Sequence, residues 1–251
     1  MSKMRYPSDV AFSSAVKIAQ AARGSRPLYA KMEQTKGWRT TVTPDLADFL
    51  AEVRSVYLAT ASADGQPYVQ HRGGPPGFIR VLDEARLGFA DFSGNRQYIS
   101  VGNLSENPHA QLFIMDYINR RRVKIWGTAH FVEDDKALLR QLTPENYRAK
   151  PERALIFRIT AWDINCPQHI PKRFEAEDVE RALAECAARI AELEAKLSRY
   201  EDPSAQKAGQ RSHLRGNLPK SWAKPLGKWS RRCQLSTCCC FPALSTGDRS
   251  A

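Results

Sequence analysis

Four short segments carry the residue types that hold anions or move protons. Gln70–Gly77 reads QHRGGPPG. Arg72 offers a planar fork of donors suited to a phosphate, and Gly73 and Gly74 allow close approach of a ligand to the backbone. The segment is no P-loop, because the GxxxxGK[ST] spacing and its lysine are absent; a tight turn with a surface arginine is the plain alternative. Asp91–Tyr98 reads DFSGNRQY, a polar turn after a strand and before a helix. Backbone N–H groups and Arg96 can bind an anion there, and helix capping by Ser93 or Asn95 is the simpler use. Arg120–Lys124 (RRRVK) sends Arg122 and Lys124 to the same face of a strand, which also suits a solvated basic face. Asp163–Arg173 (DINCPQHIPKR) holds Cys166 and His169 three positions apart. A nucleophilic Cys–His pair needs an orienting partner and an oxyanion site, and neither is legible. Two ligands are too few for a metal.

The elements that position these residues follow from pattern. Thr43 caps a helix with Pro44 at its first position, and Leu46, Phe49, Leu50 and Val53 share its face. Strands are expected over 55–61, 67–71, 78–82, 87–92, 110–117, 122–132 and 154–164, with helices over 95–104 and 135–142. Short turns between most strands disfavour parallel crossovers. The expected fold is mainly β with flanking helices, closed as an antiparallel barrel because closure removes exposed edges. In 175–197, Val179, Leu183, Cys186, Ile190, Leu193 and Leu197 alternate spacings of four and three. That is a short heptad seam, for a helix packed on a partner subunit or on its own barrel.

Composition bounds the function. The chain has 251 residues and a formal net charge of +11. From Tyr200 onward nine residues are basic and three acidic, so the body before it, 29 against 24, is only mildly basic. The whole-chain charge therefore describes the tail more than the body and gives little ground for nucleic-acid binding. No apolar run is long enough to cross a bilayer, and no secretory signal opens the chain. Two isolated body cysteines make no disulfide framework, which points to a reducing cytoplasm. Cys233, Cys238, Cys239 and Cys240 are too crowded for a tetrahedral zinc site on their own. The organisation expected is an accessory segment (1–42), a main domain (43–174), an amphipathic helix (175–199) and a flexible basic tail (200–251).

The stretches VYLATASADGQPYVQHRGGPPGF, LGFADFSGNRQYISVGNLSENPHAQLFIMDY and RRRVKIWGTAHFVED together resemble the pyridoxamine 5'-phosphate oxidase-like flavin-binding family. With AWDINCPQHIPKR and the following helix, the resemblance covers about 43–197. It implies a split antiparallel barrel of the flavin-binding type, a homodimer, and FMN at the subunit interface. It places Arg72 and Gly73 near the flavin phosphate, and Asn95, Arg96 and Gln97 where the family has a Ser-Arg-Lys phosphate turn. Arg122 and Lys124 fall on the strand bordering the cofactor, where the family has glutamine and arginine. The Arg-x-His constellation of the true oxidase is absent; His169 and Arg173 stand late in the chain at a different spacing, so vitamin B6 oxidation is not implied.

The function expected is an FMN-dependent oxidoreductase that transfers hydride through flavin N5 from a small-molecule donor. His71, Tyr98, His169 and Arg173 are candidate substrate-facing groups, and no metal is expected. The competing readings are a non-catalytic flavin-binding protein, a binder of F420 or heme on the same fold, and nucleic-acid binding through the tail.

Overall fold

The computed structural model describes residues 5–165 and 168–201. Cys166 and the basic tail beyond Glu201 lie outside the described residues. The described chain falls into two compact units that divide between Leu183 and Ala184. The first begins with a short 3-10 turn (Pro7–Val10) and helices α1 (Ser14–Ala22) and α2 (Arg26–Thr35). Helix α3 (Pro44–Glu52) follows, and Thr43 Oγ1 accepts the Leu46 N–H at 3.4 Å, as its capping pattern predicts. Strands β1 (Ser55–Ala61), β2 (Pro67–Gly73), β3 (Arg80–Val81) and β4 (Arg86–Phe92) come next. Then come α4 (Ile99–Glu106), β5 (His109–Asp116), β6 (Arg121–Val132), α5 (Lys136–Leu142) and β7 (Pro151–Asn165). Helix α6 (Ala176–Glu201) begins in the first unit and supplies the described part of the second.

All strand pairs are antiparallel, in the order β2-β1-β5-β6-β7-β4-β3. This corrects the expected barrel. The order ends on β2 and β3, which do not pair with each other, so the sheet is open and the fold is mixed α/β rather than mainly β. Residues 78–82 were expected to form a full strand, but only Arg80 and Val81 pair. The link from β2 to β3 carries Pro75 and Pro76, which lack ladder donors. A two-residue edge strand offers too few hydrogen-bonding groups to close a sheet, and shortness is itself a way to blunt an edge.

Alternation along the strands gives the sheet two faces. Val56, Leu58, Leu112, Ile114, Val123, Ile125 and Phe157 point into the main core, where Leu46 and Leu50 of α3 meet them. A smaller cluster, Ala90, Leu142, Ala154 and Ile156, covers part of the other face under α5. On that other face Trp126 stacks on Trp38, with ring centroids 4.5 Å apart and planes 12° from parallel.

Candidate cofactor site

A pocket of about 230 Å³ lies between the end of β2, the end of β4, the start of β7 and the N-terminus of α4. Its position follows from polar pins on α4. Ser100 Oγ donates to Gln70 Oε1 at 2.7 Å, and Asn103 Nδ2 donates to Thr60 Oγ1 at 3.0 Å. Register does the rest: Val56 pairs with Arg72 and Leu58 with Gln70, so Tyr68, Gln70 and Arg72 point from β2 to the α4 side.

The turn that enters α4 is held in an uncommon backbone shape. Arg96 and Tyr98 have φ of 58° and 53°, a left-handed region that few residues other than glycine adopt. Asn95 Oδ1 accepts the Gln97 N–H at 3.2 Å, which fixes the turn locally. The helix was expected over 95–104, capped by Ser93 or Asn95. Instead it starts at Ile99 after a left-handed Tyr98, with no side-chain cap. Its first residues, Ile99, Ser100 and Val101, line the pocket, and the first N–H groups of a helix have no intrahelical partner.

Arginines line the floor. The Arg72 guanidinium donates to Asp91 Oδ1. Arg153, which pairs with Asp91 across β4 and β7, lies 3.3 Å from its other oxygen. Arg153 also holds Glu133 at 2.8 Å and Glu152 at 3.0 Å. Its guanidinium carbon lies 5.3 Å from the centroid of the Tyr98 ring. Burial pushes the Asp91 carboxyl above its ordinary range, with Arg72 and Arg153 opposing the shift. Arg72 Nε is buried with no hydrogen-bond partner, as is Arg122 Nε on the opposite face; Arg153 Nε makes no hydrogen bond either but is the atom 3.3 Å from Asp91 Oδ2. One orphaned cationic donor on Arg72, the Arg153 guanidinium, an exposed Arg96 and an uncapped helix N-terminus together suit an anion.

The structure thus brings together Arg72, Asn95, Arg96, Gln97 and Tyr98. Gly73, at the end of β2, is not in the lining; a Cβ there would lie 3.3 Å from Arg54 O. His71 projects from the opposite face and packs its ring edge on Tyr57 at 5.6 Å. Arg122 and Lys124 are also on that face. Arg122 lies 5.9 Å from the Phe113 ring, and Lys124 lies 5.1 Å from the Trp126 ring. Burial lowers the Lys124 pKa, with Asp163 opposing that shift. His169 is exposed in a left-handed conformation, and Arg173 lies 4.7 Å from the Tyr117 ring. Arg173 belongs to a second, wider cleft of about 860 Å³, whose rim carries Asp45, Asp48 and Glu52 and is the poorer match for a phosphate. Asp91, Glu152 and Arg153 complete the pocket floor; Asp91 opens the Asp91–Tyr98 segment without a role of its own there, and Glu152 and Arg153 are not among the residues read from sequence. The one available signal for Arg153 is a charged pair, Glu152 and Arg153, directly before the apolar run ALIF.

Residues 42–166, just under half of the chain, match the family described as Pyridoxamine 5'-phosphate oxidase. The match is a distant one to this FMN-binding family and not to one characterised member. Among solved structures, HupZ of Group A Streptococcus is 15% identical, covers 53% of this chain and 99% of its own, and has a TM-score of 0.40. An FMN-binding protein from Syntrophomonas wolfei is 9% identical, covers 59% of this chain and 97% of its own, and has a TM-score of 0.37. HutZ, a heme storage protein from Vibrio cholerae, is 17% identical, covers 49% of this chain and 92% of its own, and has a TM-score of 0.34. At such scores these likenesses assign no chemistry to the present chain. No curated protein matches it. Among the described residues, no helix is long and apolar enough to cross a membrane, and no group of three or more metal-ligating side chains occurs.

Proposed function

We propose that the chain binds FMN with its phosphate in the pocket at the N-terminus of α4. It would act as an FMN-dependent oxidoreductase on a small-molecule donor, as a homodimer in a reducing compartment. The observation that carries this reading is the buried Arg72 Nε, a donor without a hydrogen-bond partner, in one pocket with Arg153, Arg96 and the uncapped start of α4. A pocket of about 230 Å³ suits a phosphate end. It is smaller than the about 300–1,000 Å³ that whole small-molecule ligands occupy. When bound, the flavin supplies hydride acceptance at N5 and onward electron transfer. The chain's own residues bind and orient. Arg96, exposed at the mouth, meets the phosphate charge first. Arg72 and Arg153 are held in place by Asp91 and so present their donors at fixed positions. Tyr98, 49% exposed at the mouth, is the pocket residue best placed to meet a substrate.

Isothermal titration with FMN and with riboflavin tests the reading. FMN should bind at least about tenfold more tightly than riboflavin, because charge-assisted bonds to phosphate contribute about 1.5–3 kcal/mol each. Failure to bind FMN, or equal affinity for the two, overturns it. Bound FMN that no nicotinamide or other donor reduces, followed by flavin absorbance, would leave a flavin-binding protein and remove the enzyme.

A further inference from the structure

We propose that α6 pairs with α6 of a second copy of this chain as a parallel, in-register two-stranded coiled coil, with Cys186 facing Cys186. The seam runs along most of the helix. Leu183, Ile190 and Leu197 take the a positions of a heptad, and Val179, Cys186 and Leu193 take d. Each of these large apolar residues stays exposed in the single chain: Val179 43%, Leu183 64%, Ile190 56%, Leu193 43% and Leu197 58%. Cys186 is a free, exposed thiol on the same line. Apart from Ser198 and Tyr200 near its end, the rest of the helix is alanine and charge, stitched along its own length by Arg181–Asp178 at 3.0 Å, Arg189–Glu192 at 2.5 Å and Lys196–Glu192 at 2.6 Å. A continuous apolar stripe on an otherwise polar helix is a surface awaiting a partner.

The flanking charges select the partner and its direction. Glu180 and Glu194 occupy e positions, while Arg189 and Lys196 occupy g. In a parallel pair, g of one helix lies beside the following e of the other, which sets Arg189 against Glu194 twice by symmetry. An antiparallel pair would bring g against g and e against e, setting arginine and lysine against each other and glutamate against glutamate. The sequence of one helix is therefore complementary to a parallel copy of itself and repulsive to an antiparallel one. Parallel alignment in register is also the arrangement that places the two d-position Cys186 side chains opposite each other. The inference does not depend on FMN, because the seam residues contribute nothing to the pocket at α4.

The full-length chain with Cys166, Cys233, Cys238, Cys239 and Cys240 replaced by serine keeps Cys186 as its one thiol. Treated at micromolar concentration with diamide, which takes up the two thiol hydrogens, it should run mostly as a disulfide-linked dimer on a non-reducing gel. The further change Cys186→Ser should abolish that band. A single-cysteine chain that stays monomeric on the gel overturns the in-register pairing. Sedimentation on the chain with its natural cysteines gives a second readout. Leu183→Glu with Ile190→Glu changes only exposed side chains and should abolish self-association; undiminished association overturns the seam. Arg189→Glu should raise the dimer dissociation constant roughly tenfold, as two attractive pairs become repulsive, and adding Glu194→Arg should restore it. Tighter association of Arg189→Glu would mark an antiparallel pair and overturn the proposal. FMN titration of the same variants separates these outcomes from those of the cofactor site.

Discussion

Arg96 and Arg72 both line the pocket at α4, yet their removal should have different consequences. Arg96 is exposed, so Arg96→Ala should weaken FMN by roughly ten- to a hundredfold and leave riboflavin affinity and urea stability nearly unchanged. Arg72 also partners Asp91, and their side chains are 15% and 8% exposed. Arg72→Ala should therefore weaken FMN and also cost about 2–4 kcal/mol in urea unfolding, because a buried carboxylate loses a counter-ion while Arg153 remains beside it. Arg72→Ala at full stability would place the ion pair outside the fold's energetics. Asp91 itself gives a pH test. Burial raises its folded pKa above the ordinary value, so the stability tied to its neutral form is present below the ordinary carboxylate range. That stability is lost as pH rises through the raised pKa. Urea stability of the parent should consequently gain on Asp91→Asn as pH falls from 7 toward 4. The reverse trend would mean that the two arginines, and not burial, govern this carboxyl. Sequence made Arg72 and Arg96 legible through their glycine- and asparagine-rich turns. It could not expose the Asp91–Arg153 partnership, which depends on β4 pairing with β7 across some 60 residues.

At the level of elements, β6 and β7 form the longest ladder, and a register shift between Trp126 and Gly127 bends it. A Cβ at Gly127 would lie 2.0 Å from Arg158 O and 2.7 Å from the Phe157 ring. Backbone cannot yield as a flexible side chain can, so Gly127→Ala should cost about 3 kcal/mol or more, read by urea unfolding. Gly102, inside α4, has nothing within 4 Å of a Cβ. Gly102→Ala should stabilise by about 0.5–1 kcal/mol through helix propensity. If both substitutions shift stability alike, close strand approach is not what requires glycine at 127. Runs of β-branched and apolar residues made β1, β2 and β4–β7 legible, with ends displaced by a few residues. Closure of the sheet was not legible, because it depends on whether two edges distant in sequence meet. The start of α4 was missed because a left-handed Tyr98, and not Ser93 or Asn95, stands at the N-cap.

Across the whole molecule, the sheet separates two kinds of work by face. One face meets α3 in the main core and, at its margin, opens into the arginine pocket. The other is covered in part by the N-terminal segment, which the sequence marks only as an accessory segment. Its own polar network fastens it: Glu33 accepts from Ser8 Oγ at 3.2 Å and from Arg26, which also donates to Gln20 Oε1 at 2.6 Å. The aromatic contacts that dock it, Phe12 on Trp38 at 5.1 Å and Trp38 on Trp126, join residues too far apart in sequence for any periodicity to reveal. A backbone strap then runs to the sheet, where Arg39 N donates to Trp162 O at 3.3 Å and Trp162 Nε1 to Thr41 O at 2.8 Å. Trp38 is 9% exposed, so Trp38→Ala should cost about 3–5 kcal/mol. It should also shift tryptophan emission to the red as Trp126 meets water. Because the pocket lies on the opposite face, FMN affinity of the folded variant should stay within a few-fold of the parent. A loss of FMN affinity as large as that from Arg96→Ala, at a temperature where Trp38→Ala is still folded, would show that the two faces are coupled through the strands between them.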